Sequence, residues 1–265
     1  MILKEIKMKF KTPKLTVIGA GPGDVDLITL KAIKVLKSAD VVLYDALVNK
    51  ELLEYINPNA EQIFVGKRRG CYTYHQDQIN ELIVARANTH GHVIRLKGGD
   101  PFIFGRGAEE MEYAASFGLE VAVVPGISSS LAVPAYQNIP LTKRGSAESF
   151  WVITGTTKEH KISNDIQLAA KSNATVVVLM GMSKLPQIVK LFQAEGKNDL
   201  PVAIIQNGTT SREKVGIGTV DSILDVVKNQ DLRNPAIIVL GDVVKHREEI
   251  LKMQLEQEVL FKQVV

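Results

Sequence analysis

The sequence predicts an α/β protein built as two α/β domains, and three observations carry that expectation. From Leu15 to about Pro125, short β-branched runs alternate with longer amphipathic stretches; a segment rich in proline, glycine and serine then interrupts the pattern; after it the alternation resumes. The 265 residues, 45% of them hydrophobic, can bury a sizeable core and suit one large domain or two of ordinary size.

In the first half the runs "LTVIG", "VVLY", "QIFVG", "HVIRL" and "LEVAVV" read as strands of a mostly parallel sheet, with helices between them. The clearest helix is expected over 27–39, where Leu27, Leu30, Ile33, Val35 and Leu36 make an apolar stripe. A second is expected over 75–89, stopped by Gly91. The segment "VPGISSSLAVPAYQNIPLTKRGSAES" reads as a boundary holding a short helix. Beyond it, "SFWVIT", "ATVVVLMG", "PVAIIQNG", "EKVGIGTV" and "PAIIVLGDVV" read as strands, with helices near 183–194 and 220–229. Two strands in immediate succession, 201–206 and 213–218, require antiparallel pairing, so the second sheet is expected to be mixed. The domains are accordingly placed at 14–125 and 146–243, joined by a linker over 126–145 and followed by a helical tail over 244–265. In that tail Ile250, Leu251, Leu255, Val259 and Leu260 share a face that can pack on its own domain or on a partner.

Composition narrows the function. No window reaches the ~18–20 uncharged apolar residues that a membrane-spanning helix requires, and the start alternates lysines with single apolar residues, so a cytoplasmic protein with no membrane partner and no cleaved signal is expected. Cys71 is the sole cysteine, which excludes an internal disulfide and multi-thiolate zinc sites; no metal is expected. A net charge of +3 is too mild for a nucleic-acid binder. An anionic ligand must be met by local basic clusters, of which there are three: Lys67-Arg68-Arg69, Arg95 with Lys97 and Arg106, and Lys143-Arg144. Each could equally be a solvated surface patch.

The loop "VIGAGPGD" follows a strand and precedes a helix, as a phosphate-binding loop does. A dinucleotide fingerprint needs a glycine at the sixth position counted from Gly19, but Asp24 stands there, with Pro22 and Gly23 before it. Asp45, at the end of "VVLYD", occupies the place where an acid grips a ribose in NAD enzymes, which keeps an oxidoreductase as the rival reading.

Four segments, "GAGPGDVDLITL", "LYDALV", "GGDPFIFGRGAEE" and "VPGISSSLAVPAYQNIPLTKR", together resemble the tetrapyrrole methyltransferases, and the likeness extends from about Leu15 to Val243. The resemblance implies a cofactor cleft between two α/β domains, filled by S-adenosylmethionine and left with S-adenosylhomocysteine. It implies cofactor contacts at Pro22, Gly98, Gly99, Asp100, Ile103, Ser128, Ser129, Met180 and Gly208, with Asp45 as proton acceptor and Lys67 as proton donor. Within the family, "YDALV", "VGKR" and "AYQNIPLT" look most like the members that methylate uroporphyrinogen III at C2 and C7 to give precorrin-2; a methyltransferase of a later precorrin or a diphthine synthase is the alternative. An octacarboxylate tetrapyrrole would be oriented by Arg106, Arg68, Arg69 or Arg144. A homodimer is implied as well, and the dehydrogenase and ferrochelatase segment that some relatives carry is not expected. Ser128 and Ser129 stand where the family commonly has threonine and alanine, Lys143 where it has histidine, and Leu179 where it has tyrosine. The residues agree in part with these roles: glycines let a backbone approach a ligand, a carboxylate attracts a sulfonium, and methionine offers a polarizable wall.

Overall fold

The computed structural model describes residues 12–66 and 74–264, with side chains of the last helix described as far as 257. The chain divides into two compact units, Met1–Ser128 and Ser129–Val265.

The first unit holds a five-stranded sheet of β1 (Lys14–Gly19), β2 (Val41–Tyr44), β3 (Glu61–Phe64), β4 (His92–Lys97) and β5 (Glu120–Val124). Their order is β3-β2-β4-β1-β5 and every pairing is parallel, as the alternating pattern predicts. Helices α1 (Leu30–Leu36), α2 (Gln76–His90) and α3 (Gly107–Ser116) accompany it. Ile18, Ala32, Leu36, Val42, Ile94 and Leu96 pack on one face, while Val17, Leu43, Ile79, Ile83, Val93 and Ala114 pack on the other. Gly91, at φ +106, ends α2 where the sequence placed the stop.

The helix expected over 27–39 is shorter. A single 3-10 turn spans Val25–Leu27, the chain extends at Ile28 and Thr29, and α1 begins only at Leu30 because the Thr29 hydroxyl accepts the Ala32 N–H at 3.1 Å as its cap. Leu30, counted in the apolar stripe, is 77% exposed.

The second unit holds α4 (Ser129–Tyr136), β6 (Phe150–Thr154), α5 (Asp165–Lys171), β7 (Thr175–Leu179), α6 (Leu185–Ala194), β8 (Pro201–Gln206), β9 (Lys214–Thr219), α7 (Ile223–Asn229), β10 (Ala236–Leu240) and α8 (Lys245–Val264). The sheet order is β6-β7-β10-β8-β9; β6 and β7 are parallel, while β10 runs antiparallel to both its neighbours and β8 to β9. That is the mixed sheet the adjacent strands required. Ile166, Ile188 and Phe192 cover one face, and Val133 of α4 covers the other with Ile139 and Val244. Ile250 of α8 lines an apolar pocket with Leu131, Ile139 and Leu141 of its own unit, whereas Met253 and Leu255 are each 63% exposed.

Candidate active site

In the first unit all five strands are parallel, so their carboxyl ends share one edge, the usual ligand-binding edge of such sheets. Pro22 follows β1, Asp45 follows β2, Gly98, Gly99 and Asp100 follow β4, and Ser128 closes the segment after β5. Three glycines allow these strand ends to meet. A Cβ on Gly19 would stand 2.5 Å from Gly126 N and 2.6 Å from Gly99 O, and one on Gly126 would stand 2.4 Å from Gly99 O. No side chain fits there. Gly21 and Gly99 exchange backbone hydrogen bonds of 3.2 and 2.7 Å, which ties the β1 loop to the β4 loop. Asp100 completes the tie: one carboxylate oxygen accepts Phe102 N–H at 2.9 Å and the other accepts Gly126 N–H at 3.1 Å.

Next to this glycine-packed floor, the loop from Asp100 to α3 presents Phe102, Ile103 and Phe104, each between 42 and 51% exposed. Phe104 and Arg106 sit at φ +54 and +59, a conformation that bulky side chains rarely adopt and that gathers at ligand sites. Arg106 is half exposed and paired through two nitrogens with Glu109, at 2.5 to 3.1 Å. Asp45 is half-buried; one oxygen accepts Leu47 N–H at 3.0 Å and the other lies 3.5 Å from the Arg95 guanidinium.

The basic clusters fare differently from their sequence reading. Arg95 and Lys97 are neither a solvated patch nor open to an anionic ligand: both are buried and paired with the fully buried Glu110 at 3.0 to 3.1 Å. Burial, then the neighbouring Arg95, push the Lys97 ammonium below its ordinary pKa. Lys143 is tied to α8, with Nζ 2.8 Å from His246 Nδ1 and 3.4 Å from Glu249, while Arg144 beside it is exposed. Lys67, Arg68, Arg69 and Cys71 lie outside the described residues.

The second unit gathers the remaining candidates. β7 and β8 both run antiparallel to β10, so their carboxyl ends also share an edge. Met180 follows β7, half exposed at φ +55. Gly208 follows β8 between Asn207 and Thr209, at φ +50 and +64. A Cβ on Gly208 would meet Val133 Cγ1 of α4 at 2.3 Å, and α4 opens with Ser129. Glu213 braces the turn by accepting Thr209 N–H at 2.7 Å and the Gln137 side-chain amide. Of the eight non-glycine residues with positive φ among those described, five stand in these two sets of loops.

The loop after β1 is not built for a dinucleotide. Asp24 accepts Asp26 N–H at 3.0 Å as cap of the 3-10 turn, and the first α-helix starts six residues further on, so the glycines have no helix N-terminus behind them to face a pyrophosphate. The family model of the tetrapyrrole (corrin/porphyrin) methylases matches residues 14–224. The chain belongs to the tetrapyrrole methylase family. It is 44% identical over 235 residues to a uroporphyrinogen-III C-methyltransferase from Methanocaldococcus jannaschii, a match covering 88% of this chain and 97% of that protein. It is 43% identical over 234 residues to a siroheme synthase from Methylobacillus flagellatus, 88% of this chain but 50% of that protein, so the chain spans about half the length of that relative. Among solved structures, a uroporphyrin-III C-methyltransferase from Thermus thermophilus complexed with S-adenyl homocysteine superposes with a TM-score of 0.76 at 35% identity, covering 88% of this chain and 99% of that one.

Two features of this tetrapyrrole methylase escape the sequence reading. Glu110 lies inside the quoted "GGDPFIFGRGAEE" yet draws no role there; the signal available is a pair of cations, Arg95 and Lys97, on alternate positions of an otherwise apolar strand, which demand a buried acid. The Glu213 brace leaves no such trace, because Gln137 and Glu213 are 76 residues apart.

Proposed function

We propose that this chain is an S-adenosylmethionine-dependent methyltransferase that methylates uroporphyrinogen III at C2 and C7 and forms precorrin-2, feeding sirohaem or cobalamin synthesis. The observation that carries the reading is the 44% identity to the Methanocaldococcus jannaschii enzyme across nearly the full length of both chains. Each unit by itself offers features that suit a flat, partly apolar cofactor. The strand edge of the first has a floor of glycine backbone, the exposed Ile103 and the Asp100 carboxylate, and the second has the exposed Met180 after β7. Pro22, Gly98, Gly99, Asp100, Ile103 and Ser128 of the first unit and Ser129, Met180 and Gly208 of the second are assigned to cofactor contact.

Bound S-adenosylmethionine supplies an electrophilic methyl group on a sulfonium. In each transfer the S–CH3 bond breaks with its electron pair left on sulfur, a C–C bond forms at the pyrrole carbon, and the tetrapyrrole gives up one proton. Asp45 is assigned to take that proton; Lys67 is assigned as donor, returning a proton to the tetrapyrrole only where a second one is released, so that the net loss stays at one proton per methyl group. Arg106 and Arg144, together with Arg68, orient the substrate's carboxylates; guanidinium forks suit that task. Arg106 can exchange its half-exposed partner Glu109 for a substrate carboxylate at small expense, because exposed ion pairs contribute only about 0–1 kcal/mol.

Among the described residues no helix is long and apolar enough to cross a membrane. A cytoplasmic location and a homodimer complete the reading; support for the dimer is the exposed Met253 and Leu255 on α8 and the two-fold closure usual among oligomers. The deciding experiment incubates the protein with S-adenosylmethionine and uroporphyrinogen III and follows product mass. A gain of two methyl groups is expected. No gain, together with methylation of a later precorrin, would move the chain to another branch of the family.

A further inference from the structure

Arg95 and Lys97 occupy alternate positions on β4, the central strand of the first sheet, so both side chains point to the face covered by α2 and α3. Each is about 5% exposed. The acid that answers them is Glu110, in the first turn of α3 and wholly buried. Lys97 Nζ lies 3.0 Å from both of its oxygens, Arg95 Nε donates to Oε1 at 3.1 Å, and the Gln76 amide donates to the same oxygen at 3.2 Å. The Lys97 contact with Oε2 is electrostatic only, since no donor among the described residues is aligned on that oxygen.

The rest of the Arg95 guanidinium is equally fixed. One terminal nitrogen donates to the carbonyl of Leu96 at 2.9 Å and to that of Leu43 at 3.4 Å, and the other faces Asp45 Oδ2 at 3.5 Å. Lys97, Glu110, Arg95 and Asp45 thus form a chain of alternating charge, with Lys97 at the end of β4, Arg95 two residues deeper in the strand and Asp45 just beyond the end of β2. Stability does not account for it. Burying ions is unfavourable unless every partner is well placed, and a packed apolar trio of the same volume would serve folding as well or better. What the chain of charges does supply is a rigid guanidinium behind a carboxylate that, among the described residues, is otherwise held by the Leu47 backbone N–H.

We propose that Glu110 is a positioning residue for methyl transfer, holding Arg95 so that its outer nitrogen fixes the Asp45 carboxylate where the substrate proton is released. The proposal rests on the reading of Asp45 as proton acceptor. Glu110 touches neither substrate nor cofactor, and its influence passes through one side chain.

A double-mutant comparison on the full chain tests it, with turnover and the calorimetric affinity for S-adenosylhomocysteine measured for Glu110→Gln, Asp45→Asn and the pair. Misplacing a catalytic group by about 1 Å can reduce rate about 10²-fold, so Glu110→Gln is expected to lower kcat by that order while S-adenosylhomocysteine affinity stays within about twofold. In the Asp45→Asn background the same change should lower kcat no further, because the group being positioned is gone. Arg95→Lys keeps the charge facing Glu110 but cannot span to Asp45; it should reproduce the pattern and carries the test if Glu110→Gln fails to fold. Equal losses in both backgrounds would overturn the positioning role while leaving Asp45 as acceptor. Unchanged turnover in Asp45→Asn alone would overturn the acceptor reading, and the positioning role with it.

Discussion

The two units solve the same problem, placing loops at the carboxyl edge of a sheet, with different materials. Every charged side chain buried among the described residues, Arg95, Lys97 and Glu110, belongs to the first unit, whereas the buried polar side chains of the second are hydroxyls: Ser130, Ser163, Thr175 and Thr209. Without buried charge among its described residues, the second unit holds its loops by backbone at positive φ at Met180, Asn207 and Thr209, a strain of about 1–3 kcal/mol at each that the first unit shares at Phe104 and Arg106. Fixed charge belongs with proton handling and oriented attack; strained backbone and an exposed thioether belong with gripping a flat, neutral ring. On the proposed reading, proton handling by Asp45 falls to the first unit alone, while cofactor contact is shared by loops of both.

The sharpest way to break that division is to compare one side chain from each. Asp45→Asn is expected to reduce kcat by ~10² to 10⁴, the range for losing acid or base assistance, with S-adenosylmethionine affinity nearly unchanged. Met180→Ala should do the reverse, weakening cofactor binding about tenfold through lost apolar contact with little change in kcat. Single-turnover kinetics paired with calorimetry separates the two. Loss of cofactor affinity in Asp45→Asn would return the residue to the ribose-gripping role that its place after β2 first suggested.

A smaller effect distinguishes the glycines. A methyl group on Gly126 meets only backbone, Gly99 O at 2.4 Å and Gly19 Cα at 2.7 Å, none of which can swing away. One on Gly208 meets the side chain of Val133. Overpacking against unyielding atoms lies at the upper end of its usual range, so Gly126→Ala should destabilise by about 3 kcal/mol; at Gly208 the buried Val133, stiff at χ1, can give only by a small shift of α4, so Gly208→Ala should destabilise by about 2 kcal/mol. Denaturant midpoints for the two variants check the order, and equal values would mean that the first sheet's edge is more pliable than its packing indicates.

Local signals in the sequence, and their limits, follow the same division. Strand runs such as "HVIRL" and "PVAIIQ" are legible because a sheet covered on both faces needs consecutive β-branched residues, and the adjacency of 201–206 and 213–218 leaves no room for a parallel crossover. The helix at 27–39 misleads because periodicity cannot see that Thr29 prefers to cap a new helix to lying inside an old one. At the site, glycines announce themselves by type, so Gly98 and Gly99 are readable, although the full packing needs Gly19 and Gly126 from two other strands. Arg95 and Lys97 look like a surface cluster because charge alone carries no information on burial. Glu110, 13 residues beyond Lys97, joins them only once α3 has folded back on the sheet.

The weakest predicted effect concerns how stability responds to acid, through a partly buried histidine of the first unit. His92, at the amino end of β4, lies with Nε2 2.8 Å from the Thr16 hydroxyl and Nδ1 3.3 Å from the Ser38 carbonyl. Its burial lowers the imidazole pKa below the ordinary 6.5, against a smaller opposing pull from the Ser38 carbonyl. The unfolded chain therefore takes up this proton before the folded chain does as pH falls. His92's contribution is fully present above about pH 6.5 and is lost as pH drops through the folded value, because the unfolded state binds more protons over that window. The imidazole is only partly buried, so solvent keeps the effect small. His92→Gln retains a hydrogen-bonding side chain without a titration, and the fall in urea midpoint between pH 7 and pH 5 should be shallower in this variant than in the parent. An identical fall in both would show that His92 does not titrate differently on folding, and the acid sensitivity of the first unit would then have to come from its carboxylates.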